Sequence, residues 1–361
     1  MTSATAVEKP TSLRDHFLNL TPGKLTGLRH ITDPNGRFKV LALDQSNSFK
    51  KALRAMHEKA GRPAEPSYEE IRDTKLEMVR VLGEHAGAVL LDINFGARQA
   101  LNSFSLPKGA GLIVRVEASR DAGLPAEYEP GWNAEKIKKM GAAAVKLLVY
   151  IDTDDAANVK TQIGFVEKVS KACEEADILL MTEELSFPRK GEDKGSPGYK
   201  ARKVKNILEA TRLIGPHTDI LKLEFPGDIR GESETALREN IGRLNEAARR
   251  PWVLLSAGEK FELFVKQVEL AMTGGASGYM AGRAIFNEYF DAPDATARAL
   301  FLKTTGIPRM QTLNKLVDGR ATPWTNRYSL SPADLAAAVR SDWYLDKDSK
   351  AARAPETHGD Y

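Results

Sequence analysis

The chain carries a single cysteine, Cys173, among its 361 residues. No disulfide can form within it, so a reducing compartment is the expected setting. Cys173 lies in Lys171-Ala172-Cys173-Glu174-Glu175, a stretch of helical period, and reads as an ordinary helix residue rather than a reactive thiol. Long apolar runs are also missing, since none approaches the roughly 20 residues that cross a bilayer. Met1–Pro10 has no apolar segment of the secretory kind. The expectation is a cytoplasmic protein without a membrane partner. Charge imbalance is small, a formal +3, and no basic run is interleaved with aromatics. Nucleic acid is therefore not an expected partner. Histidine is scarce: His16, His30, His57, His85, His217 and His358 are the six, and no two have zinc-ligand spacing.

What is present is ordinary in bulk and regular in pattern. Hydrophobic residues make up 42% and charged residues 28%, which suits a globular domain with a large core. Eight short apolar runs recur: Phe38–Leu43, Ala88–Ile93, Leu112–Glu117, Ala144–Tyr150, Ile178–Glu183, Asp219–Phe225, Trp252–Ser256 and Gly278–Gly282. Most are continuous rather than alternating, as expected of strands buried on both faces. Between them lie stretches of helical period, clearest at Tyr68–Glu84, Ala156–Ala176, Lys200–Ile214, Glu232–Arg249 and Phe261–Met272. Strand–helix alternation repeated eight times predicts a TIM (β/α)₈ barrel. An open doubly wound sheet is the runner-up, but the first run ends in Leu43-Asp44-Gln45-Ser46, without the glycines of a dinucleotide loop. The expected organisation is an N-terminal extension over 1–24, a barrel domain over 25–341 and a polar tail over 342–361. A short helix is expected near Leu13–Leu20, further helices near Asp294–Thr304, Met310–Asp318 and Pro332–Val339, and mobility over Asp346–Tyr361.

In this fold chemistry sits at the C-terminal ends of the strands. The polar residues there are Asp44 and Gln45, Asp92 and Asn94, Arg115 and Glu117, Lys146, Glu183 and Glu184, Lys222, Ser256, and Arg283 after Gly282. No histidine is among them, which disfavours zinc; a carboxylate-held magnesium at Asp92 or Glu117 stays open. Lys146 and Lys222 are the anomalies, because an ammonium flanked by apolar residues loses hydration. Each has a bland reading, a lysine paired with a buried carboxylate. The functional reading is an amine nucleophile. Apolar surroundings and a second nearby cation both favour the neutral amine that can attack a carbonyl, and Lys146 could be that cation for Lys222. Ser256-Ala257-Gly258 and Gly282-Arg283, after the last two strands, offer a hydroxyl, approachable backbone N–H groups and a guanidinium. Such loops often clamp phosphate in barrels.

These residues resemble a known family. Ala42-Leu43-Asp44-Gln45, Ala144-Val145-Lys146-Leu147-Leu148-Val149-Tyr150, Thr218-Asp219-Ile220-Leu221-Lys222-Leu223-Glu224, Leu254-Leu255-Ser256-Ala257-Gly258 and Ala281-Gly282-Arg283-Ala284 resemble the tagatose 1,6-bisphosphate aldolase family of class I aldolases. The likeness runs from about Leu25 to Trp324. It implies Lys222 as the Schiff-base lysine, Glu183 as its acid/base partner and Asp44 and Lys146 as active-site polar residues. It implies Ser256, Gly282 and Arg283 as phosphate binders, with Gln45, Ala257 and Gly258 beside them. It also implies catalysis without metal or cofactor, and a homo-oligomer.

Four segments depart from the pattern. The family commonly has arginine after Asp-Gln, whereas Ser46 stands here. Thr182-Glu183-Glu184-Leu185 offers two glutamates, of which Glu183 aligns with the motif. Gly275-Ala276-Ser277-Gly278-Tyr279-Met280-Ala281-Gly282-Arg283 and Phe187-Pro188-Arg189-Lys190-Gly191 look more like the sulfofructose-1-phosphate aldolases, a sister branch. The expected activity is reversible cleavage of a ketohexose 1,6-bisphosphate to dihydroxyacetone phosphate and glyceraldehyde 3-phosphate. The alternative is the same chemistry on a sugar phosphate with a sulfonate at C6, and a sensor that binds a sugar phosphate without turnover is the remoter one.

Overall fold

A computed structural model describes residues 20–63, 65–339 and 341–345. Apart from Leu20, the short helix expected near Leu13–Leu20 lies outside these residues, as does the tail Asp346–Tyr361. Eight parallel strands close into a barrel in sequence order. They are β1 (Phe38–Leu43), β2 (Ala88–Leu91), β3 (Gly111–Arg115), β4 (Ala144–Tyr150), β5 (Leu179–Leu185), β6 (Ile220–Leu223), β7 (Trp252–Leu255) and β8 (Gly278–Ala281). Closure brings β8 against β1 with Gly278 opposite Phe38. A β-carbon at Gly278 would collide with the Phe38 carbonyl, so the seam needs a glycine there.

The continuous apolar runs have a hidden period of two. One set of alternate residues, including Val40, Leu90, Ile113, Met181, Ile220 and Val253, packs inside the barrel. The other set, including Leu41, Val89, Val114, Val145, Leu180 and Trp252, faces the surrounding helices. Both faces are apolar, so alternation is invisible in a hydropathy pattern. Trp252, fully buried on the outer face, has its indole N–H satisfied by Asn245 at 3.0 Å.

The N-terminal end of the barrel is plugged. Leu28 and Ile31 of the helix Pro22–Ile31 join Trp324, Tyr328 and Leu330 against the inner strand residues. Thr21 caps this helix and Pro22 starts it, the usual signature of a helix beginning. The helix crosses position 24–25, and Lys24 ties it to Asp219 at 3.0 Å. That engagement of Asp219 explains why β6 begins one residue later than the apolar run suggests. At β2 the run to Ile93 is cut short because Asp92 turns to accept the Phe95 N–H at 2.8 Å. β5 runs on to Leu185, since β4 pairs with it as far as Tyr150. The helices Tyr68–Leu82, Ala156–Glu175, Pro197–Ile214, Glu234–Ala247 and Phe261–Thr273 lie where the helical period placed them. After β8 come Arg283–Phe286, Ala295–Phe301, Ile307–Arg320 and Pro332–Ala337. No helix among the described residues is long and apolar enough to cross a membrane.

Candidate active site

The inner face of the barrel changes character along its length. Near the N-terminal end the inward positions are Val40, Ile113, Ala144, Met181 and Ile220. One or two inward steps further they become Asp44, Arg115, Glu117, Lys146, Glu183 and Lys222, all at least nine-tenths buried. Strand register brings them together: Arg115 sits opposite Lys146, and Glu183 opposite Lys222. They form the floor of a cavity of about 500 Å³ at the C-terminal mouth, whose wall also includes Gln45, Ser46, Ser256, Ala257, Gly282 and Arg283. The inert end fixes the geometry and the mouth carries the charge, the usual division in this architecture.

Lys146 is the hub. Its ammonium lies 3.0 Å from Asp44 Oδ2, 2.8 Å from Glu117 Oε1 and 3.0 Å from Glu183 Oε2. The same Glu183 oxygen accepts from Lys222 Nζ at 2.8 Å. Burial alone would discharge such a lysine. Here three carboxylates outweigh burial and hold Lys146 firmly charged, well above the ordinary lysine range. Burial likewise pushes the Asp44 carboxyl up, but Lys146, Lys222 and Arg115 overcome it and keep Asp44 below the usual carboxylate range. Glu183 is depressed against its burial by Lys146 and Lys222. Glu117 goes the other way, because burial exceeds the pull of Lys146 and Arg115.

The two adjacent glutamates part company. Glu183 points into the cavity beside Lys222, whereas Glu184, one residue on, points out of the barrel wall. Glu184 is fully buried, and neither carboxyl oxygen has a hydrogen-bond partner. Burial, reinforced by the Glu224 charge, raises it well above the carboxylate range. Period-two alternation makes the distinction, because two neighbours in a strand cannot share a face.

The loops after β7 and β8 meet at the cavity rim. Ser256, Ala257, Gly282 and Arg283 line it, while Gly258 stands behind them against the Arg283 guanidinium, where a β-carbon would approach to 3.1 Å. Ala257 and Gly258 both adopt left-handed backbone, at φ 49° and 77°. For alanine that costs about 1 kcal/mol. Gln45 lines the cavity with its amide donating to the Ala42 carbonyl at 3.2 Å. The helix that follows β8 is a single turn, Arg283–Phe286.

Some candidates belong elsewhere. Asp92 is sealed in an ion pair with Lys75, both fully buried, and Lys75 also donates to the Leu43 carbonyl at 2.9 Å. Glu117 is held by Lys146. Among the described residues no group of three or more His, Cys, Asp or Glu side chains is placed to hold a metal ion. Arg189, in the segment after β5, is committed to Asp152 and Asp154. Arg115, Glu117 and Ser46 are cavity residues that the sequence reading did not assign to the site. The signal for the first two was available, since Ile113, Arg115 and Glu117 share the inward parity of β3.

Residues 39–288 match the DeoC/LacD family aldolase. The chain is 30% identical over 339 residues to tagatose 1,6-diphosphate aldolase 2 of Streptococcus agalactiae, covering 85% of this chain and 99% of that protein. It is 29% identical over 335 residues to the tagatose 1,6-diphosphate aldolase of Lactococcus lactis, again covering 85% and 99%. Among solved structures, a fructose-bisphosphate aldolase from Plasmodium falciparum superposes with TM-score 0.60 at 11% identity, covering 89% of this chain and 99% of that one. An archaeal fructose 1,6-bisphosphate aldolase superposes with TM-score 0.52 at 17% identity, covering 85% and 100%. At such identities the superpositions speak for the barrel, and the sequence matches speak for the chemistry. The chain belongs to the DeoC/LacD family of aldolases and is a carbon–carbon lyase.

Proposed function

We propose that the protein cleaves a ketohexose 1,6-bisphosphate reversibly through a Schiff base on Lys222, yielding dihydroxyacetone phosphate and glyceraldehyde 3-phosphate. The observation that carries this reading is the Lys222–Glu183 contact of 2.8 Å inside the cavity, with Lys146 on the same carboxylate oxygen. A nucleophile and its proton partner within hydrogen-bond reach are the minimum for amine attack on a ketone.

In this reading Lys222 passes its proton to Glu183 and attacks C2. The carbinolamine that forms is neutral, and Glu183 holds the proton taken from Lys222. Glu183 returns the proton to the carbinolamine hydroxyl, water leaves, and an iminium results. The iminium draws the electron pair of the C3–C4 bond as that bond breaks. Asp44, held ionised by Lys146 and not in contact with Lys222, takes the C4 hydroxyl proton. The aldehyde leaves, and the enamine is protonated at C3 and hydrolysed. Ser256, Gly282 and Arg283 hold the C1 phosphate and fix C2 against the amine, which is where much of the rate comes from. A solved neighbour, an archaeal fructose-1,6-bisphosphate aldolase, has its catalytic lysine bound to the carbinolamine of its substrate; this supports the same chemistry on a barrel of the same fold.

The test is borohydride reduction with dihydroxyacetone phosphate. A reduced adduct should form on Lys222 and be absent from Lys222→Ala. Cleavage by folded Lys222→Ala at the wild-type rate overturns the reading, and so does activity lost to a chelator and restored by added metal.

A further inference from the structure

Arg115 is the least neutralised buried charge at the site. Its residue is 5% exposed, and it lies on the wall of the cavity. Its four acceptors are all neutral: the Asp44 carbonyl at 2.8 Å, Ser119 Oγ at 3.0 Å, Ser46 Oγ at 3.1 Å and Asn94 Oδ1 at 3.4 Å. Its Nε–H is buried without a partner. The nearest fixed negative charges, Asp44 and Glu117, already serve Lys146. Taking a guanidinium out of water without a counter-charge is costly. A ligand that brings a negative charge to this wall would remove the cost.

Position says which part of a ligand. The clamp for the C1 phosphate spans the loops after β7 and β8, and β3 lies opposite β7 in the closed order. Arg115 is therefore rooted across the mouth from the β7 side of the clamp, with its guanidinium over the end of β1 at Asp44 and Ser46. Among the other basic side chains of the segments after β3 and β5, Arg120 is paired with Glu127 at 2.8 Å and Arg189 with Asp152 and Asp154, while Lys194, also on the cavity wall, is exposed to water and so carries no comparable desolvation cost. The Ser46 and Ser119 hydroxyls accept from Arg115, which leaves their own protons free to donate. Ser46 is also the position where the resembled family commonly carries arginine. Here the guanidinium reaches that position from β3 instead.

We propose that Arg115, with the Ser46 and Ser119 hydroxyls, forms the subsite for a tetrahedral oxyanion on C6 of the sugar, and so selects substrates charged at both ends. The inference rests on the aldolase reading above. Its test compares kcat/KM on a ketohexose 1,6-bisphosphate with that on the corresponding ketohexose 1-phosphate. Wild type should prefer the doubly charged substrate. In Arg115→Met that preference should fall by roughly 100-fold, the loss on the bisphosphate far exceeding any fall on the 1-phosphate. Adding Ser46→Arg to Arg115→Met should restore a preference, which a merely structural role would not allow. If Arg115→Met does not fold, Ser46→Ala with Ser119→Ala carries the same test with a shift of roughly tenfold.

Two arms separate the sources of the oxyanion, a 6-phosphate and a 6-sulfonate. Whichever wild type turns over faster identifies the natural group, and both should be lost together in Arg115→Met. A wild-type enzyme indifferent to C6 charge overturns the subsite, as does a preference unchanged in Arg115→Met or an equal fall on both substrates. If wild type forms no borohydride adduct with dihydroxyacetone phosphate, the aldolase reading fails and this inference with it. If the adduct forms in wild type and variant alike and the preference does not move, only the subsite fails.

Discussion

Two buried lysine–carboxylate pairs lie within the same barrel, and they do different things. Lys75 reaches Asp92 from the helix Tyr68–Leu82, stacked over the rings of Phe49 and Phe95 at 5.3 and 5.9 Å. Both members are fully buried. Burial outweighs the pull of Asp92 and pushes Lys75 below the ordinary lysine range. Lys222 instead meets Glu183 on the cavity floor, where Lys146 shares the carboxylate and a ligand can enter. A buried lysine is thus no sign of chemistry in itself. What separates the two is the face of the wall, since one pair is closed in the layer between strand ends and helices and the other opens on a void.

That contrast can be broken by substitution. Lys222→Ala should abolish the borohydride adduct and reduce aldol cleavage to background, with circular dichroism unchanged. Glu183→Gln should keep the fold and lower kcat by about 10²–10⁴, read by steady-state kinetics. Lys75→Met should do the opposite. Leaving Asp92 buried and unpaired costs about 3–5 kcal/mol of stability, seen in urea unfolding, while the folded fraction keeps a kcat near wild type. If Lys75→Met instead lost activity without losing stability, the division between structural and chemical pairs would collapse.

The finest cut lies between Glu183 and Glu184. Burial raises Glu184, so above the ordinary glutamate range the folded state keeps a proton that the unfolded chain releases. Stability drawn from Glu184 is then present below the ordinary glutamate range and is lost as pH rises toward the raised folded value. Glu184→Gln, which stays neutral, should therefore flatten this loss across the range above pH of about 4.5, with kcat changed by less than about threefold. Melting curves at several pH values read the first effect. A fall in kcat comparable to that of Glu183→Gln would mean that the outer glutamate is the functional one.

Much of the fold was legible because local rules and tertiary outcome agree. β1 and β4 have the bounds of their apolar runs, and the helices Tyr68–Leu82 and Phe261–Thr273 begin where their period begins. The misses occur where side chains far apart in sequence meet. Asp92 ends β2 early because Phe95 and Lys75 claim its oxygens, and β5 runs past Glu183 because β4 continues to pair with it. The plug Pro22–Ile31 was invisible as a barrel element because its burial depends on Leu28 and Ile31 meeting Trp324 and Tyr328. Within the site, the strand-end positions of Asp44, Lys146, Glu183 and Lys222 were readable from residue type and motif. The inward position of Arg115 was readable too, from the parity it shares with Ile113 and Glu117, but its lack of a counter-charge was not, because its partners Asp44, Ser46 and Asn94 come from other strands' ends.

By itself the sequence determined which residues alternate along each strand, and hence that Glu183 and Glu184 lie on opposite faces, since backbone pleating allows no other arrangement. Along the inward parity it also placed charge only beyond an apolar N-terminal layer, so the barrel had one reactive mouth. Tertiary closure decided the rest. Only when β8 met β1 did strands distant in the chain set Lys146 among three carboxylates and leave Arg115 with neutral partners alone. Ionisation depends on which charges lie within a few ångströms, and that distance is a property of the closed barrel rather than of any segment.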